Sequence, residues 1–410
     1  MTEQRSEASE RRNIEQVARL ATTPFESDPG RPAVFWASGQ DPYENTRKAL
    51  AELDLSASAG KSVLLKPNAG RSVQPGTGIT TAPQVVAAAI DAFREAGAAL
   101  VAVGESPITG VAALDAFETT GIAAVARSRQ CPLIDMDVHR CVSIEIPDGV
   151  AIKSLKLCRE VTEFDILVSV PVMKTHMHTR VTLSVKNMKG CLWRRSKVDL
   201  HMLADLPGHS DRPLDVAIAD MSSVLRPHLS IIDGTVGMEG LGPSAGRPRD
   251  LGVVLAGVDP FATDAIASTM MGICPRDVPH LRIAAERGYG VIDPDSIAVS
   301  PGGWKHIAEP FASPPEELSI EFAGFTILDE QSCSACQSTV LMFLKKYGEQ
   351  LRDSIPGDAD ITIAIGKGHK DLPAEALCIG NCTARHKKGR VFLYGCPPVA
   401  SEILGLFETQ

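Results

Sequence analysis

Long apolar stretches are missing from this sequence of 410 residues, and no window approaches the ~18 consecutive apolar residues of a membrane-spanning helix. Aromatic residues make up only 5% of the chain, and acidic residues (50) outnumber basic residues (41), which gives a formal net charge of −9. Since nucleic acid attracts basic proteins, this balance argues against it as the main partner. The polar first 30 residues contain Arg11-Arg12 but no apolar segment after it, so we expect no secretory or twin-arginine signal. These absences predict a cytoplasmic protein that binds neither nucleic acid nor membrane.

Nucleotide-binding signatures are missing as well. No GxxxxGK[ST] motif occurs, and Gly76-Thr-Gly78 lacks a third glycine at dinucleotide spacing and does not directly follow a predicted strand. Neither a P-loop nor a nicotinamide site is therefore predicted.

The order of apolar runs and helical patterns predicts an α/β fold. Strands at 62–66 and 100–103 flank a helical pattern at 83–96, and a crossover of this length implies parallel pairing. Further strands are predicted at 132–136, 166–170, 229–233 and 251–256, and further helices at 215–225, 259–271 and 279–287. A glycine-rich loop is predicted at 237–243 and a polar flap at 193–211. We expect a mostly parallel sheet flanked by helices, plus a small C-terminal cysteine-rich α+β module.

Composition divides the chain into four predicted segments. Residues 1–44 are predicted to form a polar tail and residues 45–301 the α/β domain. Prolines among polar residues predict a linker at 302–320, and a cysteine-containing module is expected at 321–410.

The most informative stretch is Pro171–Gly190, directly after the predicted buried strand at 166–170. It is rich in lysine, histidine and hydroxyl residues although the whole chain is acidic. A basic patch at the end of a buried strand predicts an anion-binding site. The alternative is a solvated loop and edge strand whose lysines face water. Within this stretch we expect Lys174, Lys186 and Lys189 to hold the anion and Asn187 to orient it.

Other polar residues follow the ends of the remaining predicted strands. In open α/β sheets, ligands bind in the crevice beyond the carboxyl ends of the strands. We therefore expect Lys66, Asn68, Glu105 and Ser106 to share one pocket with the basic stretch. His176 is predicted to transfer protons, because the unperturbed pKa of histidine lies near neutrality. Asp233 or Glu239 is expected to orient His176 or to act as a base, whereas His178, His201 and His209 are interpreted as surface or packing residues.

Five cysteines lie close together in the C-terminal part of the chain: Cys333, Cys336, Cys378, Cys382 and Cys396. In a cytosolic chain, clustered cysteines more often bind metal or act in redox chemistry than form disulfides. Zinc ribbons usually have two Cys-x2-Cys pairs, and only Cys333-Ser-Ala-Cys336 fits that pattern. Cysteine followed by proline, as at Cys396, is common at the closing ligand of a [4Fe–4S] site. We predict a [4Fe–4S] cluster on Cys333, Cys336, Cys382 and Cys396, with Cys378 in reserve and zinc as the alternative.

Several short motifs together resemble the DUF362 family. They are Lys66-Pro-Asn68, Thr81-x-Pro83, Gly104-Glu-Ser106, Pro171-x2-Lys174-Thr-His176, Ser184-x-Lys186-Asn187-x-Lys189-Gly190, Asp233-Gly234, the loop at 237–243, and Asp259-Pro260 with Asp264. The resemblance spans about residues 45–300, and Ser184–Gly190 is its most specific part. It implies an α/β fold with frequent fusion to iron–sulfur modules, and it implies no particular reaction. The Gly395-Cys-Pro-Pro398 turn is also similar to the closing cluster turn in the small subunits of complex I and related hydrogenases.

Taken together, the residues predict a [4Fe–4S] protein that acts as a redox enzyme or an electron-transfer protein on a small anion, a carboxylate or a phosphate. A redox partner protein is expected with it. The alternatives are a non-redox enzyme of racemase or lyase type with a structural cluster, and a zinc-binding scaffold protein.

Overall fold

The computed structural model describes residues 18–314, 322–354, 360–398 and 400–408. The described chain divides into two compact units. The first comprises the described residues up to Gly240 together with Arg247–Ser313, and the second comprises Leu241–Gly246 and the described residues from Pro314.

One large sheet organises the first unit. Its strands are β1 (Ala33–Ser38), β2 (Ser62–Pro67), β3 (Leu100–Glu105), β4 (Leu133–Asp135), β7 (Ile166–Val170), β8 (Val172–His176), β9 (Arg180–Thr182), β10 (Leu229–Glu239), β11 (Arg247–Gly257) and β12 (Ala298–Ser300). Strands β5 (Val142–Glu145) and β6 (Ser154–Leu157) form a separate hairpin. The order is β12-β1-β11-β10-β7-β2-β3-β4, with β8 paired to β10 and β9. Pairing is parallel from β10 to β4, whereas β11 pairs antiparallel with β1 and β10. The prediction of a mostly parallel α/β sheet is confirmed.

Helices cover both faces of this sheet. They are α1 (Pro42–Ala51), α2 (Pro83–Glu95), α3 (Ala113–Thr119), α4 (Ile122–Ser128), the short α5 (Ser184–Asn187) and α6 (Ser196–Asp199), α7 (Pro213–Val224), α8 (Pro260–Met270) and α9 (Pro279–Glu286). Val63 and Leu65 of β2 pack into the core that contains α2, whereas Leu64 packs into the core that contains α7 and α8. Because both faces are buried, this strand is a continuous apolar run.

The polar tail predicted at 1–44 ends earlier than expected. Residues 1–17 lie outside the described residues, but Leu20 and Phe25 are buried in the two cores, and β1 lies within the sheet between β11 and β12. The short apolar run of β1, Ala33-Val-Phe-Trp-Ala, carries this segment into the fold. Of the predicted linker, residues 302–313 belong to the first unit, where Phe311 is buried.

Strand β10 is longer than the predicted run at 229–233, and it includes the first part of the predicted glycine-rich loop. Its antiparallel pairing with β11 continues from Ser230 to Glu239. Position 237 lies inside the strand. It is a glycine because a Cβ there would come within 2.7 Å of the Met173 carbonyl oxygen. Glycine within a strand marks such a close backbone approach, and here it was misread as a loop signal.

The second unit has a small parallel sheet of its own. Strands β13 (Phe325–Asp329), β14 (Ile361–Ile365), β15 (Leu377–Ile379) and β16 (Phe392–Leu393) pair in chain order. Helices α10 (Ser334–Ser354) and α11 (Ala400–Glu408) complete the unit. Of the helices in the described ranges, none has the length and apolar character to cross a membrane.

Candidate functional site

The carboxyl ends of three neighbouring parallel strands form the base of the site. Strands β2 and β7 end in register at Pro67 and Val170, and β3 ends at Glu105. Strand β8 begins at Val172, directly beyond the end of β7, and runs alongside β10. The strand-end residues and the basic stretch are thereby brought to one edge of the sheet.

Four of the predicted substrate-binding and anion-holding residues form a closed hydrogen-bonded network that we call the paired cluster: Lys66, Asn68, Glu105 and Asn187. The ammonium Nζ of Lys66 donates to Glu105 (2.9 Å), to Asn187 Oδ1 (3.1 Å) and to the Pro67 carbonyl (2.8 Å). An ammonium group has three donors, so Lys66 is fully used within the protein. Lys66 and Glu105 are about 98% buried, which makes their ion pair inaccessible to solvent.

Glu105 and Asn187 have several further protein partners. Glu105 also accepts the backbone N–H groups of Ala69 and Ser106. The Asn187 amide donates to Lys66 O and Ser169 Oγ and accepts from Lys66 and Asn68. These contacts hold the ends of β2, β3 and β7 together. They leave Asn187 no hydrogen-bonding capacity for the anion that it was predicted to orient.

Gly190 allows the paired cluster to close. A Cβ at this position would lie 2.5 Å from Lys66 Nζ and 2.9 Å from Glu105 Oε1. The last residue of the specific Ser184–Gly190 motif is therefore glycine for a packing reason.

Asp264 fixes the short helix that carries Lys186 and Asn187. Its two carboxylate oxygens accept the backbone N–H groups of Ser184 (2.7 Å) and Val185 (2.9 Å) at the start of α5. Burial raises the pKa of Asp264 to about 7, although both hydrogen bonds favour the charged form. The shared motif of Asp264 and Ser184–Gly190 is thus one structural unit.

Beside the paired cluster lies a group of basic side chains that we call the cationic cluster: Arg71, Lys174, His176, His178, Lys186, Lys189 and His201. Burial lowers the pKa values of Lys174 and His176 well below their usual values, and the charge of Lys186 lowers both further. Burial also lowers the pKa of Arg71 to about 10. So many basic groups in one desolvated place favour a bound anion.

Lys174 connects the two clusters. Its Nζ donates to Asn68 Oδ1 (3.1 Å) and to the Ile79 carbonyl (2.7 Å). The loop that supplies Ile79 approaches closely because Gly78, with φ +69°, has no Cβ to meet the Gly237 carbonyl, which lies 2.1 Å from where that atom would be.

Lys186 differs from the other buried lysines in its partners. It is 9% exposed, and its one hydrogen bond is a long one to Thr182 Oγ1 (3.5 Å). Burial lowers the pKa of Lys186 to about 7, and the carboxylate of Asp215 opposes this shift. No described carboxylate lies within ion-pair distance of Lys186.

His176 is held as a neutral ring of defined tautomer. Its Nδ1 accepts the backbone N–H groups of His178 (3.1 Å) and Thr179 (3.3 Å). Because Nδ1 is an acceptor and the pKa is low, the ring carries its proton on Nε2. His176 is therefore arranged to donate a hydrogen bond.

The two acids expected to assist His176 have other partners. Asp233 accepts the backbone N–H of Ala82, at the start of α2, and the N–H and hydroxyl of Thr235. Glu239 pairs with Arg247 and accepts the backbone N–H of Ala312. Among the described residues, neither acid is hydrogen-bonded to His176. Both hold segments of backbone, which corrects the predicted orienting role.

Ser106 lies in a separate small network. Its hydroxyl donates to Asp137 (2.7 Å) and contacts the Nζ of Lys197. Lys197 also lies 3.6 Å from the Asp137 carboxylate. Ser106 is therefore bonded to residues of the predicted flap and of the segment after β4, rather than to the basic stretch.

Sequence reasoning missed several members of the site. Arg71 follows Asn68 in the turn after β2, so the strand-end rule could have included it. Asp215 lies in the first turn of α7, where an acid is ordinarily a helix-terminus residue. His201 was interpreted as a packing residue, yet it contacts Lys189, and burial followed by the charge of Lys189 lowers its pKa.

In the second unit, the four cysteines chosen as ligands are neighbours. A hydrogen bond with Cys333 and burial raise the pKa of the Cys336 thiol well above its usual value, and the charges of Cys382 and Cys396 add to this shift. Cys378 lies apart, in a small apolar group with Ala364, Leu372 and Ala376. Four thiols in one neighbourhood match the donor set of an iron–sulfur cluster or of zinc.

Hydrogen bonds link the segments that carry Cys382, in the 3₁₀-helix Asn381–His386, and Cys396, in a bend of the chain. The preceding residues, Asn381 and Gly395, share two hydrogen bonds of 2.9 Å. The Asn381 N–H donates to the Gly395 carbonyl oxygen, and the Gly395 N–H donates to Asn381 Oδ1. Within the described ranges, however, no three His, Cys, Asp or Glu side chains form a group that could hold a metal ion. The four thiols are neighbours without forming a closed ligand set.

Comparison with known proteins identifies the family. The sequence profile described as "Domain of unknown function (DUF362)" matches residues 63–269, which contain every member of the paired and cationic clusters. The chain belongs to the DUF362 family. The predicted resemblance is thereby confirmed, whereas the family match does not extend to the cysteine-containing unit.

Individual relatives of this DUF362 protein are between 11% and 30% identical to it over the matched residues. "Thylakoid-associated protein sll1697" of Synechocystis sp. (strain ATCC 27184 / PCC 6803 / Kazusa) is 30% identical over 232 residues, 57% of this chain and 69% of that protein. Among solved structures, a protein from Thermotoga maritima has a TM-score of 0.38 at 14% identity, over 61% of this chain and 60% of that one. The lactate racemase apoprotein from Thermoanaerobacterium thermosaccharolyticum has a TM-score of 0.38 at 11% identity, over 83% of this chain and 70% of that one.

Proposed function

We propose that this DUF362 protein is a cytoplasmic [4Fe–4S] protein that acts as a redox enzyme or electron-transfer protein on a small carboxylate or phosphate. The observation that carries the proposal is that Cys333, Cys382 and Cys396 all act on the thiol of Cys336, whereas Cys378 lies in an apolar group apart from them; the described thiols do not, as placed, form a group that could hold a metal ion. When bound, the cluster supplies one-electron transfer. All ten cysteines are free thiols, which is typical of a reducing compartment.

The four thiols would hold the cluster, and the residues around them would tune it. The two hydrogen bonds between Asn381 and Gly395 hold together the two segments that carry Cys382 and Cys396. Burial and then the charge of Cys333 raise the pKa of Cys382, and the charge of Lys367 opposes this shift.

The anion would bind at the cationic cluster of the first unit. Lys174, Lys186 and Lys189 would donate N–H groups to the anion, and a bound anion would favour the charged forms of these amines. His176 would donate its Nε2–H to an anion oxygen. Lys66, Asn68, Glu105 and Asn187 would support this site without touching the anion.

An electron partner would meet a basic surface on the second unit. Six cations and two acids lie between Gly366 and Arg390, in a chain whose net charge is −9. Lys367, Lys370, Arg385, Lys387 and Lys388 are exposed there. This surface favours an acidic carrier, and association would weaken as salt is added.

Anaerobic purification tests the cluster. We expect brown protein with absorbance near ~400 nm that reductant bleaches reversibly, and about four irons per chain. Cys336→Ser should lose most of the iron, whereas the matched control Cys378→Ser should keep it. Colourless protein with one zinc per chain would contradict the proposal and favour the scaffold alternative. A brown protein that reductant does not bleach would favour a structural cluster in a non-redox enzyme.

A further inference from the structure

We infer that Lys186 is a nucleophilic lysine that forms an imine with a carbonyl-bearing carboxylate, such as a 2-oxo acid, held by the cationic cluster. This inference rests on the anion site proposed above but not on the iron–sulfur cluster. It names the substrate class and adds covalent chemistry to the site.

The argument begins with the partners of the buried lysines. Lys66 is paired with Glu105, and Lys197 lies near Asp137. Lys174 donates two hydrogen bonds at 3.1 Å or less. Among the described residues, the one hydrogen-bond partner of Lys186 is Thr182, at 3.5 Å. Its amine is therefore the one best placed to meet a substrate atom in place of a protein atom.

The surroundings of Lys186 favour the neutral amine. Burial lowers its pKa to about 7, so about half of the amine is unprotonated at neutral pH. The basic groups close enough to feel the charge of Lys186 are Lys174 and His176 of β8 and His201, whereas Asp215 of α7 is the carboxylate that opposes the shift of Lys186. A lysine that is desolvated by burial is activated as a nucleophile in this way.

The neighbours also account for the choice of substrate. A 2-oxo acid carries a carboxylate, which the cationic cluster would bind, and a carbonyl next to it. His176 presents an Nε2–H donor, since its Nδ1 already accepts two backbone N–H groups. A neutral imidazole of this tautomer polarises a carbonyl oxygen without needing to be protonated.

The step balances without an oxidant or reductant. The Lys186 amine nitrogen attacks the carbonyl carbon, the C–O π electrons move to oxygen, and a proton passes from nitrogen to oxygen to give a carbinolamine. Loss of water then leaves the C=N bond. Addition of water reverses both steps and returns the amine.

Reductive trapping tests the inference. The purified full chain is incubated with pyruvate and cyanoborohydride at pH 7, and the modified lysines are identified by peptide mass spectrometry. We expect the pyruvate adduct on Lys186 at a level at least about tenfold above that on the exposed Lys61, because a lysine of ordinary pKa has less than ~1% free amine at this pH. Inorganic phosphate should compete and reduce the labelling.

Lys186→Arg keeps the charge and removes the nucleophile, so the adduct should disappear while phosphate still raises Tm. Equal labelling of Lys186 and Lys61, or no labelling of Lys186, would overturn the inference. Labelling that phosphate leaves unchanged would overturn the placement of the carboxylate in the cationic cluster. If Lys186 is not labelled but phosphate still raises Tm, the imine fails and the anion site stands; iron content of the same samples reports on the cluster separately.

Discussion

The paired and cationic clusters lie at the same edge of the sheet and each contains buried lysine, yet they differ in how their charges are compensated. Lys66 has a buried carboxylate and two oxygen acceptors, whereas Lys186 has one long contact with a hydroxyl. The first lysine joins strand ends. The second retains a buried amine whose pKa is about 7.

This difference separates residues that build the site from residues that act in it. A buried charge with all its partners stabilises one geometry, and its charge is no longer available to a ligand. A buried charge without a partner costs stability, and a bound anion can return that free energy. We infer that the paired cluster positions α5 and that the cationic cluster meets the substrate.

The largest expected effect comes from breaking the ion pair of the paired cluster. Glu105→Ala should lower the free energy of unfolding by about 3–5 kcal/mol, because it leaves the Lys66 ammonium buried and unpaired. Urea unfolding at pH 7 measures this loss. The matched variant Lys186→Met should leave stability unchanged or increase it, since it removes a buried amine that has no carboxylate partner. Similar losses of unfolding free energy in both variants would mean that Lys66 and Lys186 do not differ in how their charges are compensated.

A smaller loss is expected from filling the space that Gly190 leaves. Gly190→Ala should cost about 1–3 kcal/mol, because the new methyl group would displace the Lys66–Glu105 pair. The same urea titration measures it. Gly208→Ala is a control for an added methyl group in open space, although its φ of +80° makes some strain unavoidable there. A Gly190→Ala protein as stable as the wild type would show that the pair tolerates rearrangement.

The pH dependence of stability should also distinguish the two clusters. The pKa of Lys186 is about 7 in the folded protein and ~10.4 in the unfolded chain, so between these values the unfolded state binds more protons. Stability therefore rises with pH in this window, by up to ~1.4 kcal/mol per pH unit for one group. Comparison of wild type with Lys186→Met isolates this contribution. Identical slopes from pH 7 to pH 9 would argue against the low pKa.

Local sequence patterns predicted the strand ends well, because they depend on nearby residues. The apolar run of β2 stops at Pro67-Asn68, and the residues after each strand meet at one edge as a parallel sheet requires. Which of these side chains form hydrogen bonds with one another could not be predicted. Lys66 bonds to Glu105 and Asn187, 39 and 121 residues away, and no local pattern encodes that pairing.

The glycine-rich pattern at 237–243 predicted a loop where β10 continues to Glu239, for a related reason. Gly237 is a common loop residue by pattern, but here it allows β10 to pass close to β8. By contrast, the Gly395-Cys-Pro-Pro398 pattern indicated a turn, and Cys396 does lie in a bend of the chain, whereas Cys382 lies in the 3₁₀-helix Asn381–His386. Asp215 could not be predicted, since its effect on Lys186 depends on how α7 packs.

The most direct test of the difference between the clusters is a titration of the lysine side chains by NMR, with the Lys186→Arg variant used to assign the signal of Lys186. We predict that this signal changes with a midpoint near pH 7 and that phosphate moves the midpoint upward, because an anion favours the charged amine. A midpoint near the usual ~10.4 without phosphate, or one that phosphate does not move, would contradict the account.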